Sequence, residues 1–154
     1  MLEGVVQIVC PHCDRDNRLP RDWLPNAPPC VACGSALFEG RPVPLDDERR
    51  FDKHARHNDI PVLVLFHTVW SGESSALQSA FDRAAAAIEP QARLASIDGA
   101  ALPDLTEQLK VVRYPTLLLL YRDRELARVT GAMNLAQLLA WAHPHIAAVV
   151  TGPG

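Results

Sequence analysis

The hydrophobic and polar positions from residue 46 onward alternate between the periods of helices and strands. The polar run DDERRFDKHARHN, with its acidic first turn, predicts a first helix. The apolar run PVLVLFH predicts a central strand that is covered on both faces. Apolar residues then recur at helical spacing from residue 72 to residue 89, before Pro90, and this predicts a second helix.

The rest of the pattern predicts three strands and two helices. ARLASID predicts a strand, and LPDLTEQLK predicts a short helix with Pro103 near its start. TLLLLYR and ELARVTG predict two strands joined by a tight connection at residues 123–124, and hence a hairpin. Asn134 can cap a last helix, which we expect His143 and Pro144 to interrupt or end. The order predicts an α/β fold with a central mixed sheet flanked by helices.

The first 40 residues differ in composition from the rest of the chain. They are rich in proline and contain all four cysteines, which are Cys10, Cys13, Cys30 and Cys33. Residues 39–45 carry one glycine and two prolines, which is the composition of a linker, and they can enter a first short strand. We therefore divide the chain into a cysteine-bearing segment, residues 1–40, and an α/β domain, residues 41–154.

The spacing of the cysteines predicts a metal site. Two Cys-x2-Cys pairs match a structural site in which four thiolates hold one zinc ion. Each pair forms a tight turn that aims two sulfurs at one point, and we expect Gly34 to let backbone N–H groups approach the thiolates. A segment this short buries too little apolar surface to fold alone, so the metal would supply much of its folding free energy. The alternatives are two structural disulfides or two redox-active pairs.

Charge and hydropathy narrow the classes of partner. The formal net charge is −3 and both signs are mixed along the chain, so we expect no nucleic-acid partner. No apolar run approaches the roughly 20 residues of a membrane span, so we expect no membrane insertion. The first residues lack a basic stretch followed by an apolar core, which indicates no secretory signal. We expect a cytoplasmic location.

The stretch VWSGESSA, residues 69–76, follows the central strand and permits two interpretations. As GESSA, it is similar to the nucleophile elbow of a serine hydrolase, with Ser74 as the nucleophile. That chemistry needs a histidine and an acid later in the chain, and the only later histidines, His143 and His145, lie in or after the last helix. The second interpretation takes the stretch as WSGES, and it can be judged only together with the motifs elsewhere in the chain.

Five motifs resemble the zinc-ribbon-bearing bacterial thioredoxins in order and spacing. They are CPHCDRDNRLP, CVACGSALFEG, PVLVLF with VWSG, RYPTLLLLYRDRE and VTGAMNLAQLLAW. The resemblance implies a thioredoxin fold with an N-terminal zinc ribbon. It also implies that Pro115 is cis and that Tyr114 pairs with a bound peptide through its backbone.

The sequence differs from the family at the positions of the family's redox active site. Ser71 and Ser74 stand at the two active-site cysteine positions, Glu73 stands at the proline between them, and Leu65 stands at a buried aspartate. A serine hydroxyl does not form a disulfide, so we expect no disulfide-reductase chemistry at Ser71 and Ser74. This favours a non-enzymatic protein.

The resemblance implies a peptide-binding surface that survives without the cysteines. It would consist of Trp70, Tyr114, Pro115, Thr116, Gly131 and Ala132. Our first hypothesis is therefore a protein-binding module, a chaperone or an adaptor, whose partner is a protein or an unfolded polypeptide. The alternatives are a redox-sensing role for the ribbon cysteines, and a divergent thioredoxin that uses thiols supplied by its partner. Packing alone also explains Trp70 and Pro115, and a turn explains Gly131.

Overall fold

The computed structural model describes residues 4–69 and 72–151. The first part of the chain forms an antiparallel hairpin of two strands, β1 (Val5–Val9) and β2 (Asp16–Pro20), followed by a 3₁₀ helix, Arg21–Asn26. The sequence analysis did not predict these strands, because each has only five residues and neither VVQIV nor DNRLP shows a regular alternation of apolar and polar residues.

The second part of the chain is a five-stranded mixed sheet with four helices. Its elements are β3 (Val43–Pro44), α1 (Glu48–His57), β4 (Val62–His67), α2 (Gly72–Ile88), β5 (Arg93–Asp98), α3 (Pro103–Gln108), β6 (Thr116–Tyr121), β7 (Arg124–Thr130) and α4 (Leu135–Thr151). The strand order is β3-β5-β4-β6-β7, in which β3, β5 and β4 run parallel and β6 and β7 run antiparallel to their neighbours. The predicted element order and mixed sheet are confirmed.

The central strand β4 faces a different hydrophobic cluster on each side. Leu63 and Leu65 belong to a cluster with residues of α2 and α4. Val62, Val64 and Phe66 belong to a second cluster with residues of α1 and α3. Both sides of β4 are therefore buried, as its continuous apolar sequence predicted.

The turn between β6 and β7 lies one residue earlier than predicted. Tyr121 pairs with Arg124, so the two turn residues are Arg122 and Asp123. Their φ angles are +49° and +68°, which a two-residue hairpin turn requires. The Asp123 N–H donates to the Ala55 carbonyl of α1 at 2.9 Å, and this contact, which the sequence does not reveal, fixes the turn there.

The last helix continues through Pro144, so the expectation that His143 and Pro144 interrupt or end it was wrong. Ile146 is 2% exposed and packs into the cluster beneath α2 and α4. That packing keeps the helix regular although proline removes one backbone donor. The predicted cap is confirmed, since Asn134 Oδ1 accepts from the Gln137 N–H at 2.8 Å. Of the helices in the described ranges, none has the length and apolar composition that a bilayer span requires.

Candidate functional site

The two Cys-x2-Cys pairs form two turns of the same geometry, which we call the first knuckle (residues 10–15) and the second knuckle (residues 30–35). In the first knuckle the Asp14 N–H donates to the Cys10 carbonyl at 3.0 Å, and Asp14 has a φ of +62°. In the second, the Gly34 N–H donates to the Cys30 carbonyl at 2.9 Å, and Gly34 has a φ of +80°. Gly34 therefore serves the backbone turn, and the Ala32 N–H of the same knuckle donates to Cys30 Sγ at 3.3 Å, so a backbone N–H group does approach a sulfur there.

The four sulfurs fit a tetrahedral metal ion. All four lie within 4.8 Å of one another. The Sγ atoms of Cys10 and Cys33 are 3.6 Å apart, as are those of Cys13 and Cys30. Metal–sulfur bonds of about 2.3 Å in a tetrahedron place the sulfurs roughly 3.8 Å apart, so small shifts suffice to bind an ion. These four residues could hold a metal, and four thiolate ligands are typical of structural zinc and of iron–sulfur sites.

Neighbouring N–H groups point at the sulfurs. The N–H groups of His12 and Cys13 donate to Cys10 Sγ at 3.4 and 3.5 Å. Burial raises the pKa of the Cys10 thiol to about 12. Burial also acts to raise the pKa of Cys30, but the Asn17 amide and backbone N–H groups donate to its sulfur and lower that pKa to about 6. A bound cation would therefore displace the proton of Cys10.

A buried arginine joins the cysteine-bearing segment to the sheet. Arg93 begins β5 and is 1% exposed. Its Nη2 donates to the carbonyls of Val9 at 3.0 Å and Leu37 at 2.7 Å, which lie outside the mixed sheet. Its guanidinium lies 4.5 Å from the centre of the Phe38 ring. The Glu89 carboxylate lies 3.6 Å from Nη1, and its other oxygen accepts from a backbone N–H at 3.0 Å.

A second contact joins the first knuckle to α1. Asp14 accepts from Nε and Nη2 of Arg50 at 2.9 and 3.1 Å, which is a bidentate pair. Arg50 Nη2 also donates to the Pro11 carbonyl, between two cysteines, at 3.1 Å. The fully buried His54 places Nε2 3.0 Å from Asp14 Oδ1. Burial lowers the pKa of His54 to about 4, so its imidazole is neutral and donates from Nε2.

The sequence analysis missed Arg93, Glu89, Asp14, Arg50 and His54. A charged residue at the start of the otherwise apolar strand ARLASID was a signal that Arg93 has buried partners. Arg50 and His54 stand four residues apart on one helical face, which was a weaker signal of a common contact. Their partners in the first 40 residues are 36 and 40 positions away, and no local pattern identifies them.

The predicted peptide-binding residues partly meet at the amino end of β6. The Tyr114–Pro115 bond is cis, as predicted. The Tyr114 ring packs against Gly99, where an added Cβ would overlap with Cε1 and Oη of the ring. Thr116 is 1% exposed, and its hydroxyl donates inward to the Arg113 carbonyl at 2.7 Å. The Thr116 side chain therefore lies beneath this surface.

Gly131 and Ala132 lie next to the same loop. The Gly131 N–H donates to the Pro115 carbonyl at 3.0 Å, and Gly131 has a φ of +98°. The Ala132 N–H donates to Glu73 Oε2 at 3.3 Å, which joins this loop to the first turn of α2. Tyr114, Pro115, Gly131 and Ala132 are thus brought together, and their peptide-binding role stays a prediction.

Of the residues in the WSGES stretch, Trp70 and Ser71 lie outside the described residues. Ser74 is 1% exposed, and its Oγ accepts from the Thr68 N–H at 3.3 Å. A hydrolytic nucleophile has to reach its substrate, so the burial of Ser74 disfavours the serine-hydrolase interpretation. Leu65 is fully buried in the cluster beneath α2 and α4, and it contributes no acid there.

A family model and a curated relative both match most of this chain, and both are thioredoxins. The Thioredoxin family model matches residues 42–144. Thioredoxin C-3 from Corynebacterium nephridii is 33% identical over 134 residues, which are 87% of this chain and 91% of that protein. The chain therefore belongs to the thioredoxin family. Because 87% of the chain is aligned, the match includes part of the cysteine-bearing segment before residue 42.

Solved structures agree with the fold. A mutant thioredoxin from Halobacterium salinarum has a TM-score of 0.63 at 22% identity, and the match covers 71% of this chain and 94% of that one. Thioredoxin from Trypanosoma brucei brucei has a TM-score of 0.62 at 21% identity, with coverages of 69% and 91%. At these identities the two structures show a common fold and nothing further.

Proposed function

We propose that this protein is a non-enzymatic thioredoxin-like module that binds a protein or an unfolded polypeptide, as an adaptor or a chaperone. The observation that carries the proposal is the backbone of Tyr114. Among the described residues, neither its N–H nor its carbonyl has a hydrogen-bond partner. These free groups lie beside Pro115 and the exposed Ala132, where an extended peptide can pair with them as an added strand.

The identity of residues 71 and 74 supports a role without dithiol exchange. Serine at both positions leaves no sulfur to attack a disulfide or to resolve a mixed one. We expect no reduction of insulin beyond the background rate of the added dithiothreitol. Turnover above that background would overturn the non-enzymatic part of the proposal and leave the binding part to be tested separately.

The proposal assigns a structural zinc ion to Cys10, Cys13, Cys30 and Cys33. The four thiols are free and close together, which suits a reducing compartment such as the cytoplasm. Residues 1–40 would then be the zinc ribbon, and residues 41–154 the thioredoxin-like domain. In this role the ion supplies folding free energy and takes no part in a reaction.

Photocrosslinking in cells tests the binding function. A photoreactive amino acid replaces Ala132, beside the proposed surface, and in a matched control it replaces Ala87, an exposed alanine near the other end of α2. A discrete crosslinked band at Ala132 and none at Ala87 supports an adaptor. Many bands that increase under heat stress support a chaperone. No crosslink at Ala132 in a folded, expressed protein overturns the proposal.

A redox-sensing role is the second candidate, and the cysteine geometry favours it. Cys33 is exposed, and its sulfur lies 3.6 Å from that of Cys10. Peroxide could oxidise each pair of thiols to a disulfide, with two molecules of water as the other product and loss of the ion. Release of zinc at low peroxide, followed with a chromogenic chelator and reversed by reductant, supports sensing. A site that keeps its zinc under peroxide eliminates it.

A further inference from the structure

A shallow groove continues from the proposed binding surface along α2. Its volume is about 390 Å³, and it lies between α2 and the segment that joins β7 to α4. Its lining residues are Ala76, Ala80, Arg83, Ala132, Met133, Asn134 and Gln137. Ala132 belongs both to this groove and to the proposed binding surface, so a peptide bound at Tyr114 can continue into the groove.

One face of α2 carries a basic residue that lines the groove, Arg83, and an acidic residue beside its Ala132 end, Glu73. Glu73, Ala76, Ala80 and Arg83 are spaced by three, four and three residues, which places them on one side of a helix. Glu73 is fixed at the Ala132 end, because its Oε2 accepts from the Ala132 N–H at 3.3 Å. Ten residues of helix rise separate Glu73 from Arg83, which is about 15 Å.

The two charges have no ionic partner in the described part of the chain. Neither the Glu73 carboxylate nor the Arg83 side chain forms an ion pair there, and both residues are exposed. The α2 side of the surface between them is small and apolar, with the exposed Ala76 and the almost fully buried Ala80, and Met133 is half-buried opposite. The polar residues of the lining, Asn134 and Gln137, hydrogen-bond to each other. A ligand that complements the groove therefore carries two opposite charges with small or apolar groups between them.

We propose that the groove binds an extended segment of the partner protein that places a lysine or arginine at Glu73 and an aspartate or glutamate at Arg83. This inference rests on the proposed binding function and specifies the chemistry of its partner. An extended chain advances about 3.3 Å per residue, so about 15 Å corresponds to four or five residues. The partner segment would carry its two charges at that separation, in one fixed order along the chain.

Peptide display on the full-length protein tests the inference. A library of random peptides is selected against the wild type and against the double variant Glu73→Lys/Arg83→Glu. The wild type should enrich peptides with a basic and an acidic residue four or five positions apart in one order. The double variant should enrich the opposite order, because exchanging the two protein charges exchanges the charges that they prefer.

Binding of a fluorescent copy of the peptide that the wild type enriches most measures how much the charge exchange changes the affinity. Loss of both attractions and gain of two repulsions should weaken binding to the double variant about tenfold. Glu73→Gln and Arg83→Gln are milder variants, each expected to weaken binding a few-fold with little effect on folding. The control is Arg49→Glu/Glu107→Lys, which exchanges two exposed charges on α1 and α3 and should leave the affinity unchanged.

The outcomes separate this inference from the proposed function. Peptides enriched in opposite orders by the two proteins support both. Peptides that bind at Ala132 without a charge pattern, or with the same order on both proteins, overturn the groove assignment and leave the binding function standing. A selection that enriches nothing from either protein overturns both.

Discussion

Arg93 Nη2 donates to the Val9 carbonyl at 3.0 Å across 84 positions of sequence. Val9 immediately precedes Cys10, so the first knuckle is held by a charge that belongs to the mixed sheet. Burial acts to lower the pKa of Arg93, and the nearby Glu89 carboxylate opposes this, so that the pKa falls only to about 10 and the side chain stays charged at neutral pH. The charge needs these carbonyls because it has almost no access to water.

Replacing Arg93 with methionine should destabilise the protein by about 3–5 kcal/mol. The substitution keeps much of the apolar stem, but it leaves the buried Val9 and Leu37 carbonyls without their donor and the buried Glu89 carboxylate without the opposite charge 3.6 Å away. Urea unfolding followed by circular dichroism measures the loss. Arg49→Met, at an exposed position on α1, is the control and should change stability by less than about 0.5 kcal/mol. Similar losses for the two variants would contradict the role of Arg93.

The buried His54 should make the protein less stable in mild acid. Burial lowers its pKa from an ordinary 6.5 to about 4, so between these values the unfolded chain binds a proton that the folded chain does not. Stability should therefore fall as the pH falls from about 6.5 to 4, by up to about 3 kcal/mol from this residue.

His54→Gln isolates this effect, because glutamine can still donate to Asp14 but does not titrate. Urea unfolding of both proteins between about pH 7 and pH 4 should give a shallower loss for the variant. The carboxylates and thiols away from residue 54 titrate in both proteins, so their contribution cancels in the difference. Burial acts to raise the pKa of Asp14, but the Arg50 and His54 contacts hold it below its ordinary value, so this carboxylate changes the difference mainly at the acid end of the range. Parallel curves would show that His54 is not the titrating group.

Removing the metal should destabilise the whole chain and not only its first 40 residues. Structural zinc in small domains contributes about 10–16 kcal/mol of apparent binding free energy at neutral pH. Here the first knuckle binds Arg50, and Val9 and Leu37, which flank the two knuckles, bind Arg93. Chelation or Cys30→Ser should lower the temperature of a single cooperative transition, and elemental analysis should find one zinc ion per wild-type chain. Ser79→Ala, at an exposed position on α2 away from the sulfurs, is the control. An unchanged transition on chelation would show that the ion is dispensable.

Gly99→Ala should cost about 1–3 kcal/mol, because the new methyl group overlaps with the Tyr114 ring. Tyr114→Ala should relieve the overlap, so the double variant should be more stable than the two single losses predict. A double-mutant cycle in urea measures this coupling, which should be at least about 0.5 kcal/mol. Additive losses would mean that the ring moves aside without resistance.

The sequence predicted the mixed sheet well because its signals are local. The run PVLVLFH is buried on both faces of the sheet, and Asn134 caps α4 through a residue three positions away. The continuation of α4 past Pro144 was not predictable, since it depends on the packing of Ile146 against α2 and β-strand residues. The cysteine spacing predicted a cluster of four sulfurs, which lie within 4.8 Å of one another.

The contacts that attach the cysteine-bearing segment to α1 could not be predicted from the sequence, for a different reason. Asp14 is the fifth residue of the first knuckle and has a positive φ; glycine is common at such a position, and Gly34 occupies it in the second knuckle. Aspartate tolerates a positive φ less well than glycine does. Its contacts with Arg50 and His54 give a physical reason why aspartate stands at this position. Only the folded chain brings those three residues together.

The four cysteines also differ in exposure, and this sets a direction of approach to the sulfurs. Cys10 and Cys30 are buried, whereas Cys33 is exposed and Val31 beside it is 86% exposed. A chelator, an oxidant or a protein that delivers the ion therefore meets Cys33 first. All four thiolates together would determine how tightly an ion is held, but access through the exposed Cys33 would determine how fast the ion is exchanged.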